Sequence, residues 1–218
     1  MLEYPIKAVI FDMDGTLLDT EGVFVEYWVK AGRACGWPFE RRHGLLLRSC
    51  AAAVAERTMK QLFGPAYNHA PVRATRRKMM EGVLQGPIPA KPGAVEVLTW
   101  LKEQGIPTAC ATASDLPRAQ DNLERAGLGG YLQHILSARN VRRGKPYPDV
   151  FRSACDQLGL QPEECLVVED APNGVIAAFA AGCQVVMVPD QTQPEDCLLS
   201  LLTAKVDHLG QIIDLLSE

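Results

Sequence analysis

The sequence predicts an α/β protein: a doubly wound parallel sheet of Rossmann-like type that carries an inserted helical cap domain. Three observations predict it. Short apolar runs recur along the chain, and two of them stop abruptly at acidic side chains, as buried parallel strands do when they deliver polar groups at their carboxyl ends. Helical stretches of about ten residues separate the runs, the spacing of right-handed crossovers over a sheet covered on both faces. One long stretch near the N-terminus breaks this rhythm and is helical throughout.

The first predicted strand is Ala8 to Phe11 (AVIF), followed directly by DMDGT. From Glu21 to Gln85 no strand-like run bounded by turn residues occurs. The segments GVFVEYWVKAGRACG, RSCAAAVAERTMKQLFG and PVRATRRKMMEGVLQG are predicted as three main helices, each closed by glycine. The return segment Gly86 to Gly93 (GPIPAKPG) holds three prolines and suits a connector, so the insert is expected to hinge there and near Asp19 and Thr20. These boundaries give an α/β core over residues 1–20 and 87–218 and a helical cap over 21–86. In the core, helices are predicted at Ala94 to Gln104, Arg118 to Ala126 and Val150 to Leu158, each closed by the next glycine. Strands are predicted at Thr108 to Ala113, Ile135 to Ala138, Leu166 to Val168 and Val185 to Val188.

The bulk properties narrow the class. A chain of 218 residues with 47% hydrophobic and 22% charged content is ordinary for a soluble globular protein with one sizeable core and a smaller accessory unit. No apolar stretch approaches the ~18 residues that a membrane span requires, and the N-terminus lacks the pattern of a secretory signal. Seven cysteines, with no CxxC pair and no histidine at zinc spacing, read as reduced thiols, so a cytoplasmic location is expected. The net charge of -4 gives no general attraction to nucleic acid or an anionic membrane. The one basic run, RATRRK within the cap, reads as a solvated helix face, with contact to an anionic substrate as the other reading. Nothing in the sequence fixes the oligomeric state, and a monomer is compatible with it.

Four stations carry chemistry. Asp12 and Asp14 stand two apart at a strand end, and Gly15 then lets the chain turn away. One carboxylate there can attack phosphorus and the other can protonate a departing oxygen, although a solvated turn also accounts for the pair in isolation. Glu169 and Asp170 end the run LVVED in the same way. Alone they fit a helix cap; paired with the first strand end they form a carboxylate cluster outside the sheet. Such a cluster repels itself unless a cation balances it, and an all-oxygen site suits Mg²⁺. Thr112, followed by Ala113 and Ser114, can offer a hydroxyl and a backbone N–H to phosphoryl oxygens, or simply form a turn. Lys145, between Gly144 and Pro146, is either a solvated lysine or the charge that offsets the carboxylates.

In that order, DMDGT, a helical insert, Thr112, GKPYPDVF and VVEDAPNG resemble the haloacid dehalogenase superfamily, in particular the subfamily with a small helical cap after the first strand. The resemblance spans nearly the whole chain. It implies a phosphatase in which Asp12 is the nucleophile, Asp14 the general acid and base, and Thr112, Ala113 and Lys145 the phosphate-binding groups. It also implies a Mg²⁺ site at Asp12, the Asp14 backbone carbonyl and Asp170, with Glu169 close by, and a small phosphorylated metabolite as substrate. Ala171 departs from the serine that many relatives carry after the acidic pair. Arg48, in GLLLRSC, stands where sugar-phosphate-handling relatives place a substrate-binding arginine, and its side chain is expected to be free at a helix entry.

Within the same resemblance, Asp14 argues against dehalogenation, because a halide needs no proton to leave, and no lysine suited to phosphonate cleavage follows DMDGT. A phosphosugar mutase similar to β-phosphoglucomutase shares the fold and all four motifs. Those mutases carry a histidine soon after the first motif, where this chain has Phe24, which favours hydrolysis. A silent phosphate-binding or regulatory protein of this fold is the non-enzyme alternative; such proteins usually lose the nucleophile or a metal ligand, and this chain keeps both.

Overall fold

The computed structural model describes residues 4–48, 50–83 and 85–217. Ser49 and Leu84, each within a predicted helix, lie outside the described residues, as do 1–3 and 218 at the ends of the predicted core.

Six strands form one sheet: β1 (Ala8–Phe11), β2 (Thr108–Thr112), β3 (His134–Ser137), β4 (Cys165–Glu169), β5 (Gln184–Met187) and β6 (Ala204–Lys205). Their order is β3-β2-β1-β4-β5-β6, and every neighbouring pair is parallel. The chain steps outward from β1 to β3, then returns to the other side of β1 with β4. Strand order therefore reverses between β1 and β4, and a doubly wound sheet opens a crevice beyond the carboxyl ends at that point.

Successive strand residues face opposite sides of the sheet, so all-apolar strands feed two cores. Val9 and Phe11 of β1, with Leu166 and Val168 of β4, pack on one face. Ala8, Ile10, Cys165 and Val167 pack on the other. Between β1 and β2 the chain forms α1 (Glu21–Ala34), α2 (Arg41–Leu46), α3 (Ala52–Phe63) and α4 (His69–Met79). Helices α5 (Ala94–Glu103), α6 (Leu116–Arg125) and α10 (Gln211–Ser217) cover the first face of the sheet. Helices α7 (Asp149–Leu158), α8 (Pro172–Ala181) and α9 (Asp196–Leu199) cover the second.

The insert has its own apolar cluster, which includes Trp28, Phe39, Met59, Tyr67 and Val72. It differs from the sequence expectation in three places. The short α2 precedes the predicted second helix, closed at its start by a reciprocal cap in which the Glu40 N–H donates to His43 Nδ1 at 2.9 Å. The second main helix begins at Ala52 rather than Arg48. The third ends at Met79, and Gly82, at φ +82°, turns the chain well short of Gly86.

The two connectors to the insert pair with each other. Leu18 and Ala90 form an antiparallel bridge, the Asp19 N–H donates to the Pro89 carbonyl at 2.9 Å, and the Lys91 N–H donates to Leu17 at 2.9 Å. No helix among the described residues is long and apolar enough to cross a membrane.

Candidate active site

The ends of β1, β2 and β4 bring the predicted residues together at the crevice. Asp12 follows β1 and its N–H donates to the Val168 carbonyl of β4 at 2.9 Å, which locks the two strand ends side by side. Gly15 holds the tight turn after them at φ +93°; a Cβ there would lie 2.6 Å from Asp170 Oδ2. The DxDGT spacing is thus what lets two carboxylate-bearing segments approach.

Lys145 is fully buried among these groups. Its ammonium donates to Asp12 Oδ1, to Glu169 Oε1 at 2.6 Å and to the Ala111 carbonyl at 2.9 Å, so all three hydrogens are engaged. Burial disfavours its charge, but Asp12 and Glu169 more than offset that, and its pKa lies above the ordinary lysine value. Glu169 is equally saturated: its other oxygen accepts the N–H groups of Asp170 and Ala171 at 3.0 and 3.1 Å. Gly174, on the first turn of α8, makes room for this carboxylate, which a Cβ at that position would overlap.

Asp12 is differently placed. Oδ1 is held by Lys145, while Oδ2 is buried with no hydrogen-bond partner. Burial raises its pKa to about 8, against the pull of Lys145. Asp14 accepts from Thr20 Oγ1 at 2.7 Å and from Ser114 Oγ at 2.9 Å. Burial also raises its pKa, with those two hydrogen bonds and the charges of Arg118 and Arg76 opposing. Thr112 Oγ1 accepts the Ser114 N–H at 3.0 Å, which leaves its own hydrogen available to a ligand. Thr112 and Ala113 line the same cavity as Asp12, Asp14 and Lys145.

Asp12, Glu169 and Asp170 each bring an oxygen within 4.8 Å of the others, a group able to hold a metal ion. The donor set fits a hard divalent cation: it is all oxygen, and the unpartnered Asp12 Oδ2 lacks a positive neighbour of its own. Burial, followed by repulsion from Glu169 and Glu21, pushes the Asp170 carboxyl well above its usual range. With the hydrogen bonds of Glu169 complete, Asp12 and Asp170 are the better placed of the three to ligate directly.

Arg48 corrects the expectation of a free side chain. It is buried beside the crevice, donating to Asp170 Oδ2 at 2.9 Å and to Thr192 Oγ1 at 2.6 Å, with Glu21 Oε1 at 3.9 Å from Nε. Its position after α2, rather than at the start of the next helix, turns it toward the core instead of solvent. The basic run RATRRK is also more than a solvated face, since Arg73, Arg76, Arg77 and Lys78 line a cavity of about 970 Å³ between the insert and the strand ends.

Sequence reasoning missed Ser114, Glu21, Gly174 and the guanidinium of Arg118. Ser114 was within reach, two residues past Thr112. Glu21 and Arg118 had no local signal, since each reaches the crevice from a separate helix.

A doubly wound sheet with acidic groups and a buried lysine gathered at its switch point defines an α/β protein with a carboxylate-lined site at its strand ends. The comparisons then fix the family. A sequence profile described as haloacid dehalogenase-like hydrolase matches residues 6–182, and the chain belongs to that family. It is 36% identical to hexitol phosphatase A of Escherichia coli (strain K12) over 187 residues, 84% of this chain and 82% of that protein. It is 32% identical to the same organism's fructose-1-phosphate phosphatase YqaB, over 83% of this chain and 95% of that one. A solved structure from Bacteroides vulgatus, provisionally described as a β-phosphoglucomutase, superposes with a TM-score of 0.79 at 28% identity, covering 96% of this chain and 87% of that one.

Proposed function

We propose that this phosphatase hydrolyses a small phosphorylated metabolite, a sugar phosphate or similar phosphomonoester, through an aspartyl-phosphate on Asp12. The observation that carries the reading is the asymmetry of Asp12. One oxygen is fixed by Lys145, and the other is buried, unpartnered and at the cavity floor. A carboxylate so held is a positioned nucleophile.

In the first displacement Asp12 attacks phosphorus while Asp14 gives its proton to the leaving alkoxide. In the second, Asp14 takes a proton from the water that hydrolyses the acyl-phosphate. The hydrogen bonds from Thr20 and Ser114 fix Asp14 for both steps. Thr112 and the Ala113 N–H would bind phosphoryl oxygens. Lys145 would contribute its charge there, releasing one of its three present partners if it touches the substrate. Asp12, Asp170 and the Asp14 main-chain carbonyl would hold Mg²⁺, which when bound would neutralise charge on the phosphoryl group. Glu169, with both oxygens already engaged, would orient Lys145 and the loop that carries Asp170. Residues 21–86 would serve as the cap that excludes bulk water, and Arg48 would tie it to Asp170 instead of reading the substrate. A cytoplasmic location belongs to the same proposal, supported by seven cysteines that are all free thiols.

A panel of sugar phosphates, polyol phosphates and nucleotides, assayed for phosphate release with Mg²⁺, tests the reaction. Rapid acid quench with radiolabelled substrate tests the intermediate: label should stay on the native protein and be absent from Asp12→Asn. Turnover without protein-bound label would overturn the covalent step. The mutase reading is kept alive by the Bacteroides vulgatus structure. Conversion of a sugar 1-phosphate into its 6-phosphate without free phosphate would establish it; Phe24 at the histidine position speaks against that outcome.

A further inference from the structure

In the cavity that holds the aspartate cluster, two guanidinium groups pack against one aromatic ring. Arg76 of α4 lies 5.1 Å from the centroid of Phe24 and 4.4 Å from that of Trp28. Arg118 of α6 lies 5.3 Å from the centroid of Phe24. One comes from the insert and the other from the core, and both line the cavity that also contains Asp12 and Asp14. Among the described residues neither has a carboxylate within 4.0 Å or donates a hydrogen bond to the protein, and Arg76 Nε is buried without a partner.

A guanidinium with a buried, unused donor, set beside a second cation on the same ring and with no carboxylate at ion-pair distance from either, is costly unless an anion completes the pair. The strain is visible in Arg76, whose pKa is lowered to about 10, by burial first and with Arg118 among the opposing charges. Asp14 and Glu21 pull the other way but stand beyond ion-pair distance. Asp14 is further committed to Thr20 and Ser114. Arg139, by contrast, already has Asp115 and needs nothing more. The chain as a whole carries a net charge of -4, so this cationic wall is local to the cavity.

Building on the phosphatase reading, we propose that the true substrate carries a second anionic group, a phosphate or a carboxylate, at the end remote from the ester that is cleaved. Arg76 and Arg118 bind that group together, with Phe24 as the platform that holds both guanidinium planes. The paired donors of arginine match the oxygens of either anion. Because one arginine belongs to the insert and one to the core, such a substrate also bridges the two and favours the closed arrangement. The hexitol and fructose-1-phosphate phosphatases are named for substrates without a second anion, so the inference separates this chain from them in specificity.

Two matched pairs of probes test it: fructose 1-phosphate against fructose 1,6-bisphosphate, and glucose 6-phosphate against 6-phosphogluconate. The native enzyme should prefer the doubly anionic member of at least one pair by about tenfold or more in kcat/KM, a margin that weakens with added salt. Whichever pair shows it identifies the anion as phosphate or carboxylate. In Arg76→Gln and in Arg118→Gln the preference should shrink toward unity, falling more for the doubly anionic member than for its partner. Calorimetric binding of the four probes to Asp12→Asn reads the same preference without turnover. Preference in binding but no phosphate release from any probe would sink the phosphatase reading and leave this one standing. Phosphate release with equal kcat/KM in both pairs, or a preference untouched in both arginine variants, would overturn the second-anion site.

Discussion

Asp12 and Glu169 illustrate how much a single carboxylate's hydrogen bonds decide. Both are buried within reach of Lys145, yet Glu169 has both oxygens satisfied and Asp12 has one left over. Asp12→Asn should therefore keep the fold and lose turnover, because the amide is nearly isosteric but a poor nucleophile; steady-state assay together with circular dichroism checks both halves. Gly174→Ala should act on Glu169 instead. Its methyl would overlap a carboxylate pinned by Lys145 and two N–H groups, so the side chain cannot simply swing aside. The expected cost is about 1–3 kcal/mol of stability, the usual range for overpacking, together with a loss of kcat as Lys145 is dragged from Asp12. Thermal melts of Gly174→Ala that match the native protein would show the carboxylate to be free to move. Asp12, Asp14, Thr112, Lys145, Glu169 and Asp170 were legible in the sequence because each stands beside a run of apolar residues or a turn signal. Gly174 was not, since its role is set by a side chain five residues away in the chain and visible only in three dimensions.

At the scale of elements, α4 joins two properties: its first residue is buried and its last turn is basic. His69 stacks on Trp28 at 5.3 Å and its Nδ1 faces the Tyr67 hydroxyl at 2.9 Å. Burial first, then the Arg73 charge, lowers its pKa from the ordinary 6.5 to about 4. The folded protein thus keeps His69 neutral where the unfolded chain takes up a proton, and its contribution is present above about pH 6.5 and lost as pH falls toward 4. That displacement corresponds to as much as about 3 kcal/mol at ~1.4 kcal/mol per pKa unit. Melting temperature should drop across this window, and His69→Gln should flatten that part of the profile; an unchanged profile would remove His69 as the cause. The five longer strands and the helices α5, α6 and α7 were legible because apolar runs and glycine stops mark them. Helices α9 and α10 also went unpredicted, and three further elements escaped for identifiable reasons. The two residues of β6 are too short to carry a period, α2 is a six-residue turn fixed by its cap, and α8 shows no clear apolar period because its exposed side also carries large apolar residues, Ile176 and Phe179.

For the whole molecule the decisive quantity is the balance of buried charge where insert and core meet. Asp12, Asp14, Glu21, Glu169 and Asp170 are all buried there, and the buried cations among them are Lys145 and Arg48. Arg48 reaches Asp170 from the insert, and its own carbonyl accepts from Asn173 Nδ2 at 3.1 Å, while the Ala51 N–H donates to the Lys145 carbonyl at 2.9 Å. The same carboxylate therefore anchors the insert and stands ready to ligate a metal. A divalent cation that binds this cluster must stabilise the folded protein by mass action, by about 2.7 kcal/mol at a hundredfold excess over its dissociation constant, or a rise of roughly 5–10 °C in melting temperature for a chain of this size. Mg²⁺ should produce that rise in the native protein and chelator should reverse it, while Asp170→Asn should lose most of it. Ca²⁺ should stabilise yet support turnover poorly, because its larger and less regular shell misplaces the in-line geometry. Arg48→Met supplies the sharper test of the shared carboxylate. Without the guanidinium, Asp170 and Glu21 lose their countercharge, so the metal-free protein should melt earlier and the increment from Mg²⁺ should grow, since a competing positive charge has gone. Differential scanning calorimetry with and without Mg²⁺ reads both terms, and an increment in Arg48→Met equal to or smaller than the native one would show that Arg48 and the metal do not compete for Asp170.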